Sequence, residues 1–177
     1  MSILDLIRFW CNEERRLVHL PPLMPSLAVK RSMIVSIELA ETVTPPWPDT
    51  ERGLRFGQLR AQLDHFTIGG MISIGEDPYK KKRTAYMARL DPVRDEAWQI
   101  RSFDPKPAIR VFGHFAQTDV FVALTWAYRK PLGGPGSKAW NEEINGCKAE
   151  WRKLFPSYAP HHGSQLSDYV SENFIAV

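Results

Sequence analysis

The stretch that most constrains this chain is 120–128, Val-Phe-Val-Ala-Leu-Thr-Trp-Ala-Tyr, almost wholly apolar and rich in β-branched and aromatic residues. Such a run reads as a strand buried on both faces. Two further strand-like segments precede it, 97–102 and 108–115. Asp104, Pro105, Lys106 and Pro107 separate those two, because prolines cannot continue a hydrogen-bonded ladder and favour a turn. Gln117, Thr118 and Asp119 bridge the second gap at hairpin length. Three strands joined this closely predict an antiparallel meander.

Alternation along a strand sends successive side chains to opposite faces. Trp98 and Ile100 then share one face, and Gln99 and Arg101 the other. In the second strand Ile109 and Val111 oppose Arg110, Phe112 and His114, provided no bulge intervenes at Gly113. The third strand delivers Tyr128, Arg129 and Lys130 at its end. One sheet surface is therefore expected to gather Arg101, Arg110 and the Arg129–Lys130 pair.

The order Trp-x-Ile-Arg-Ser at 98–102, Ile-Arg-Val-Phe at 109–112, Phe-Val-Ala-Leu-Thr at 121–125 and Arg-Lys at 129–130 resembles the sheet of the RelE/HigB-type toxin family. The resemblance covers roughly residues 54–132. It implies an α+β fold in which helices pack on one face of a small antiparallel sheet, here with helical extensions over 1–50 and 133–177 of a single domain. It also implies a metal-independent endoribonuclease without a cofactor, cleaving messenger RNA, typically on the ribosome, and held in check by an antitoxin protein. Arg101, Arg110, Arg129 and Lys130 match positions where that family carries basic catalytic or RNA-binding residues. Gln99 departs from the pattern, because an amide stands where the family often has a base. The extensions are a second departure.

The chemistry that such residues suit is phosphate chemistry. Cleavage through a ribose 2′-hydroxyl needs a base, an acid and cations on the pentavalent phosphate. Arginine suits the last role because its planar fork bonds phosphate oxygens two at a time. The ordinary pKa of histidine makes His114 a candidate base or acid, and Tyr128 is a candidate for stacking or proton donation. The run Lys80, Lys81, Lys82 and Arg83, beside Tyr79 and Tyr86, is a candidate RNA-binding strip. A solvated basic loop is the plainer reading of the same run.

Overall charge is only +3, from 23 Lys and Arg against 20 Asp and Glu. Between Lys80 and Lys130, however, eleven basic residues face five acidic ones. That asymmetry fits a nucleic-acid face on an otherwise slightly acidic protein. Cys11 and Cys147 have no metal-ligand spacing, and free thiols in a reducing cytoplasm suit them, although a disulfide between them remains open. No apolar run reaches membrane-spanning length, and the first residues lack the pattern of a signal peptide. His161 and His162 are adjacent and project apart on any regular element, so no metal site is expected.

Helical signals flank the meander. Ser2 and Asp5 form a capping-box pattern, with apolar spacing that predicts a helix to about residue 18. Asp49 or Thr50 caps a second helix carrying Phe56, Leu59, Leu63 and Phe66 on one stripe. Ser137 caps a third, over 137–155, with Trp140, Ile144, Cys147, Trp151 and Leu154 at alternating steps of four and three. Residues 32–39 and 71–74 read as strands, and 164–174 as a short final helix. Two other functions compete with the ribonuclease. One is a non-catalytic nucleic-acid-binding or phage and mobile-element accessory protein; the other is a protein-interaction module working through the tryptophan-rich helix.

Overall fold

The computed structural model describes every residue except Lys81. Its elements in chain order are α1 (Ile3–Asn12), β1 (Leu17–His19), β2 (Ser32–Ser36), α2 (Ile37–Val43), α3 (Glu51–Thr67), β3 (Ile72–Gly75), β4 (Met87–Arg89), β5 (Trp98–Ser102), β6 (Ile109–Gln117), β7 (Val120–Tyr128), α4 (Lys138–Leu154) and β8 (Phe174–Ala176). The strands form one sheet in the order β1-β2-β7-β6-β5-β4-β3-β8. Its β5-β6-β7 segment is the expected antiparallel meander, with Ile100 opposite Val111 and Val111 opposite Trp126.

The rest of the expected architecture is overturned. The sheet is neither small nor wholly antiparallel: β2 runs parallel to β7, and β3 runs parallel to both β4 and β8. Helices cover both faces rather than one. Leu39 and Val43 of α2, and Phe56, Leu59, Leu63 and Phe66 of α3, pack with Val35, Ile100, Val111 and Phe121 on one side. Ile7 of α1 and Trp140, Ile144, Cys147, Trp151 and Leu154 of α4 pack with Phe112, Val122 and Leu124 on the other. Both faces of the central strands are apolar, so both must be covered to remove that area from water, at about 25 cal/mol per Å². Because α3 already occupies one face, the α4 stripe closes the second. The tryptophans of that stripe are buried inside the domain, which leaves none of the stripe for a partner.

Local boundaries follow local chemistry. Ser2 and Asp5 cap α1 reciprocally, but the helix stops at Asn12 instead of reaching residue 18. Arg15 takes a left-handed φ of 51°, and Leu17–His19 leaves to pair with β2. The strand expected over 32–39 persists only to Ser36, whose hydroxyl accepts from Leu39 N–H and starts α2. The final helix reduces to one 3-10 turn, Leu166–Asp168, before the chain extends into β8. Arg31 fixes that extension, donating from Nη2 to the carbonyls of Glu172 (2.6 Å) and Asn173 (3.2 Å). No helix among the described residues is long and apolar enough to cross a membrane.

One irregularity positions the functional residues. Phe112 pairs with Thr125, but Gly113 pairs with Ala123, so Leu124 is an extra residue in β7. Before this bulge Val120, Val122 and Leu124 face α4; after it Trp126 and Tyr128 face α3. The bulge inverts the parity of the strand and carries Arg129 to the α4 side. Gly113 is required opposite it, since a Cβ there would lie 2.1 Å from the Val122 carbonyl oxygen.

Candidate functional site

On the α4 side, α4 lies over β6 and β7, next to the residues of β5. A cleft of about 890 Å³ opens there. Its floor is the polar row that alternation puts on this face, Gln99 and Arg101 from β5 and Arg110 from β6. Arg101 and Arg110 are directly opposite each other in the antiparallel register. Arg129 joins them from the end of β7, through the parity change at Leu124. One wall is the loop containing Tyr79, Lys82 and Arg83; the other is Pro135, Gly136, Trp140 and Asn141 at the start of α4.

Arg101 and Arg110 on the floor are buried yet have no carboxylate partner among the described residues. Each is only 6% exposed. Arg101 Nη1 donates to the carbonyls of Lys82 and Arg83, both at 3.1 Å, which ties the basic loop to the sheet. Arg110 Nη1 donates to its neighbour Ile109 O at 3.0 Å, and its guanidinium lies 5.1 Å over the Phe103 ring. The Arg129 guanidinium lies 5.3 Å over Trp140 and donates to Gly133 O. The Nε of Arg101, the Nε of Arg110 and the Oε1 of Gln99 have no partner among the described residues.

Three of the other buried arginines have an acid beside them, whereas Arg55, like Arg110, has a carbonyl and a ring. Arg89 pairs with Glu96, Arg60 with Asp64 at 2.7 Å, and Arg31 has Asp119 at 3.9 Å besides four carbonyl acceptors. Arg55 donates to Lys106 O and lies over Tyr128. Asp91 is the acid among the described lining residues, and its Oδ1 accepts from the Tyr79 hydroxyl at 2.6 Å.

Burial, then the charges of Arg101 and Arg129, pull the Arg110 guanidinium down to about 10. Arg101 is lowered as well, by burial first and Arg129 second. Both remain cationic at neutral pH. Three like charges held together on a sheet surface create a focused positive potential, and an anion relieves both the desolvation and the repulsion. Aromatic faces hold two of the guanidiniums in place, so little side-chain freedom remains to be lost when an anion arrives.

The cleft brings together part of the expected set. Arg101, Arg110, Arg129, Lys82 and Arg83 converge on it. Lys130 is exposed beyond the strand and does not line it, and Lys80 is exposed in the loop without reaching it. Lys81 lies outside the described residues. Tyr128 is on the opposite face, under Arg55. His114 shares the strand face of Arg110 but lines a different hollow, against Trp151. Arg89 is consumed by its ion pair with Glu96, and Arg94 borders that second hollow.

Residues that the sequence did not assign to a site are Phe103, Asp91, Trp140 and Asn141. Trp140 carried a signal of a different kind: the periodicity marking it as core is correct, and its position at the first turn of α4 also puts it under Arg129. No family model, no curated protein and no solved structure matches the chain.

Proposed function

We propose that the protein binds RNA, seating one phosphate against Arg101, Arg110 and Arg129 on the floor of the cleft. The observation that carries this reading is the pair of register-opposed, buried guanidiniums with no carboxylate beside them. A buried charge left without a counter-ion costs several kcal/mol, which a bound anion offsets. Guanidinium forks match phosphate oxygens in geometry as well as sign. Lys82 and Arg83 at the rim suit flanking phosphates, and Tyr79, 75% exposed, offers a ring on which an unpaired base stacks. Free thiols at Cys11 and Cys147 fit the cytoplasm as the place where this happens.

Binding is favoured over cleavage by what accompanies the cations. His114 faces another hollow, and Tyr79 donates to Asp91, whose hydrogen bond raises the phenol above its ordinary value. Neither supplies a ready base for a 2′-hydroxyl. The toxin-type ribonuclease is the second reading, in which the same three arginines clamp the scissile phosphate.

The test is fluorescence anisotropy with a short labelled single-stranded RNA over a range of salt concentrations. Affinity should fall steeply with salt as counterions are released. Arg101→Met and Arg110→Met should each weaken binding about tenfold or more at fixed salt. Absence of binding at low salt, or binding indifferent to both substitutions, sinks the proposal. Shortened RNA recovered from the same mixtures, lost in Arg110→Met, transfers the case to the ribonuclease.

A further inference from the structure

The second hollow lies at the other end of α4, where Trp151 and Phe155 meet the segment 156–160, and it encloses about 440 Å³. His114 forms part of its wall and is 1% exposed. The Nδ1 of His114 is 2.8 Å from the Glu96 carbonyl oxygen, which can only accept, so Nδ1 carries the proton. In the neutral ring Nε2 is then an acceptor, and it has no partner among the described residues. Burial, the first cause, holds His114 at about 4, so the neutral form prevails at physiological pH.

A buried acceptor without a donor is costly, and water or a ligand is the usual remedy. The surroundings describe which ligand fits. Trp151, with its ring 5.2 Å from that of His114, and Phe155 and Tyr158 give aromatic walls, with Pro156 and Pro160 completing an apolar slot. Arg94 and Arg152 are exposed at its border, while Lys148 is committed to Asp95 at 2.5 Å. The volume lies within the range of small-molecule sites, roughly 300–1,000 Å³.

We infer that this hollow is a second ligand site, taking a small planar aromatic anion that donates a hydrogen bond from one end to His114 Nε2 and presents its negative charge to Arg94 and Arg152 at the other. The ring is sandwiched by aromatic and proline surface, the donor supplies the missing partner at the base, and the charge stays near solvent. The site is separate from the arginine cleft and does not depend on RNA binding there.

The experiment titrates the full chain with 4-hydroxybenzoate, benzoate and phenol, followed by amide and indole NMR shifts. 4-Hydroxybenzoate should shift the Trp151 indole and the amides of 156–160. Benzoate, without the donor, should bind about tenfold more weakly, the worth of one buried hydrogen bond. Phenol, without the charge, should also bind more weakly than 4-hydroxybenzoate, and Arg152→Ala should narrow that gap. His114→Phe should remove the preference for 4-hydroxybenzoate over benzoate. If that variant does not fold, Ala159→Trp on the exposed wall should block all three probes. Because the arginine cleft also attracts carboxylates, the titration is repeated in Arg110→Met, where the shifts around Trp151 should persist. Equal binding of 4-hydroxybenzoate and benzoate to the wild type overturns the inference. So do shifts confined to the arginine cleft, or none at millimolar probe.

Discussion

Replacing Arg110 by Met should make the free protein more stable while removing its response to anions. Within the fold the guanidinium is held at about 10, well below the ordinary guanidinium range. At about 1.36 kcal/mol per unit, that difference sets an upper limit of roughly 3 kcal/mol on the cost of keeping the charge there. The sign follows from the direction: a base whose folded value lies below its unfolded one is destabilising wherever it is charged, so the cost is fully present at neutral pH and fades only as pH rises above about 10. Water entering from the cleft screens part of it, leaving about 2 kcal/mol. Met keeps the apolar stem but forfeits the bond to Ile109 O and the contact over Phe103, together about 1 kcal/mol.

The net expectation is a gain of about 1 kcal/mol, or roughly 2–4 °C in Tm for a chain of this size. The assay is thermal and urea unfolding in a zwitterionic buffer, then with inorganic phosphate or a short RNA added. Wild type should rise in Tm with either anion, and Arg110→Met should rise far less. A variant less stable than wild type without anion would show that Arg110 is a packing residue. An equal anion response in both proteins would place the anion elsewhere.

Two further outcomes follow from residues around the site. His114 is held at about 4 in the fold against 6.5 when unfolded, so the unfolded chain takes up its proton first, and stability should fall by about 3 kcal/mol as pH drops from 6.5 to 4. Burial is the main cause; Asp95 and Glu96 oppose it and Lys148 adds to it, so the slope of urea stability against pH should flatten in His114→Phe. Gly113→Ala should lower stability by roughly 1–3 kcal/mol or more, read as a drop in the urea midpoint, because its Cβ meets the Val122 backbone rather than a movable side chain. A neutral Gly113→Ala would mean that the bulge is free to relax.

Local periodicity made much of this protein legible. The strands β5, β6 and β7, the two-faced pattern of their side chains, and the stripes of α3 and α4 all reflect contacts between near neighbours in sequence. That is why Arg101 and Arg110 could be assigned to one face. What was not legible depends on partners far along the chain. Nothing in Ser32–Ser36 announces that it lies beside Val120–Ala123, and nothing in Phe174–Ala176 announces β3. The resemblance of 54–132 to a toxin sheet captured the meander but not the parallel strands that extend it. Tyr128 lies on the far face and Arg129 in the cleft because Leu124 adds one residue to its strand, an insertion that alternation cannot reveal. The cleft itself needs a loop and a helix start to wall in the arginines, and neither has a regular period.

The pairing of β2 with β7 also governs the order in which the molecule can be assembled. During synthesis β2 leaves the ribosome well before β7, and until β7 arrives Met33, Ile34 and Val35 have only the three-residue β1 beside them. The meander, by contrast, closes through two short turns and can form as soon as Tyr128 is clear. It therefore acts as the template, onto which β2 docks from one side and β4 from the other, with β3 and then β8 added beyond β4. Pairings over such separations slow folding and leave strand edges open in the interval. A chaperone that holds the first fifty or so residues would spare this protein its most aggregation-prone moment.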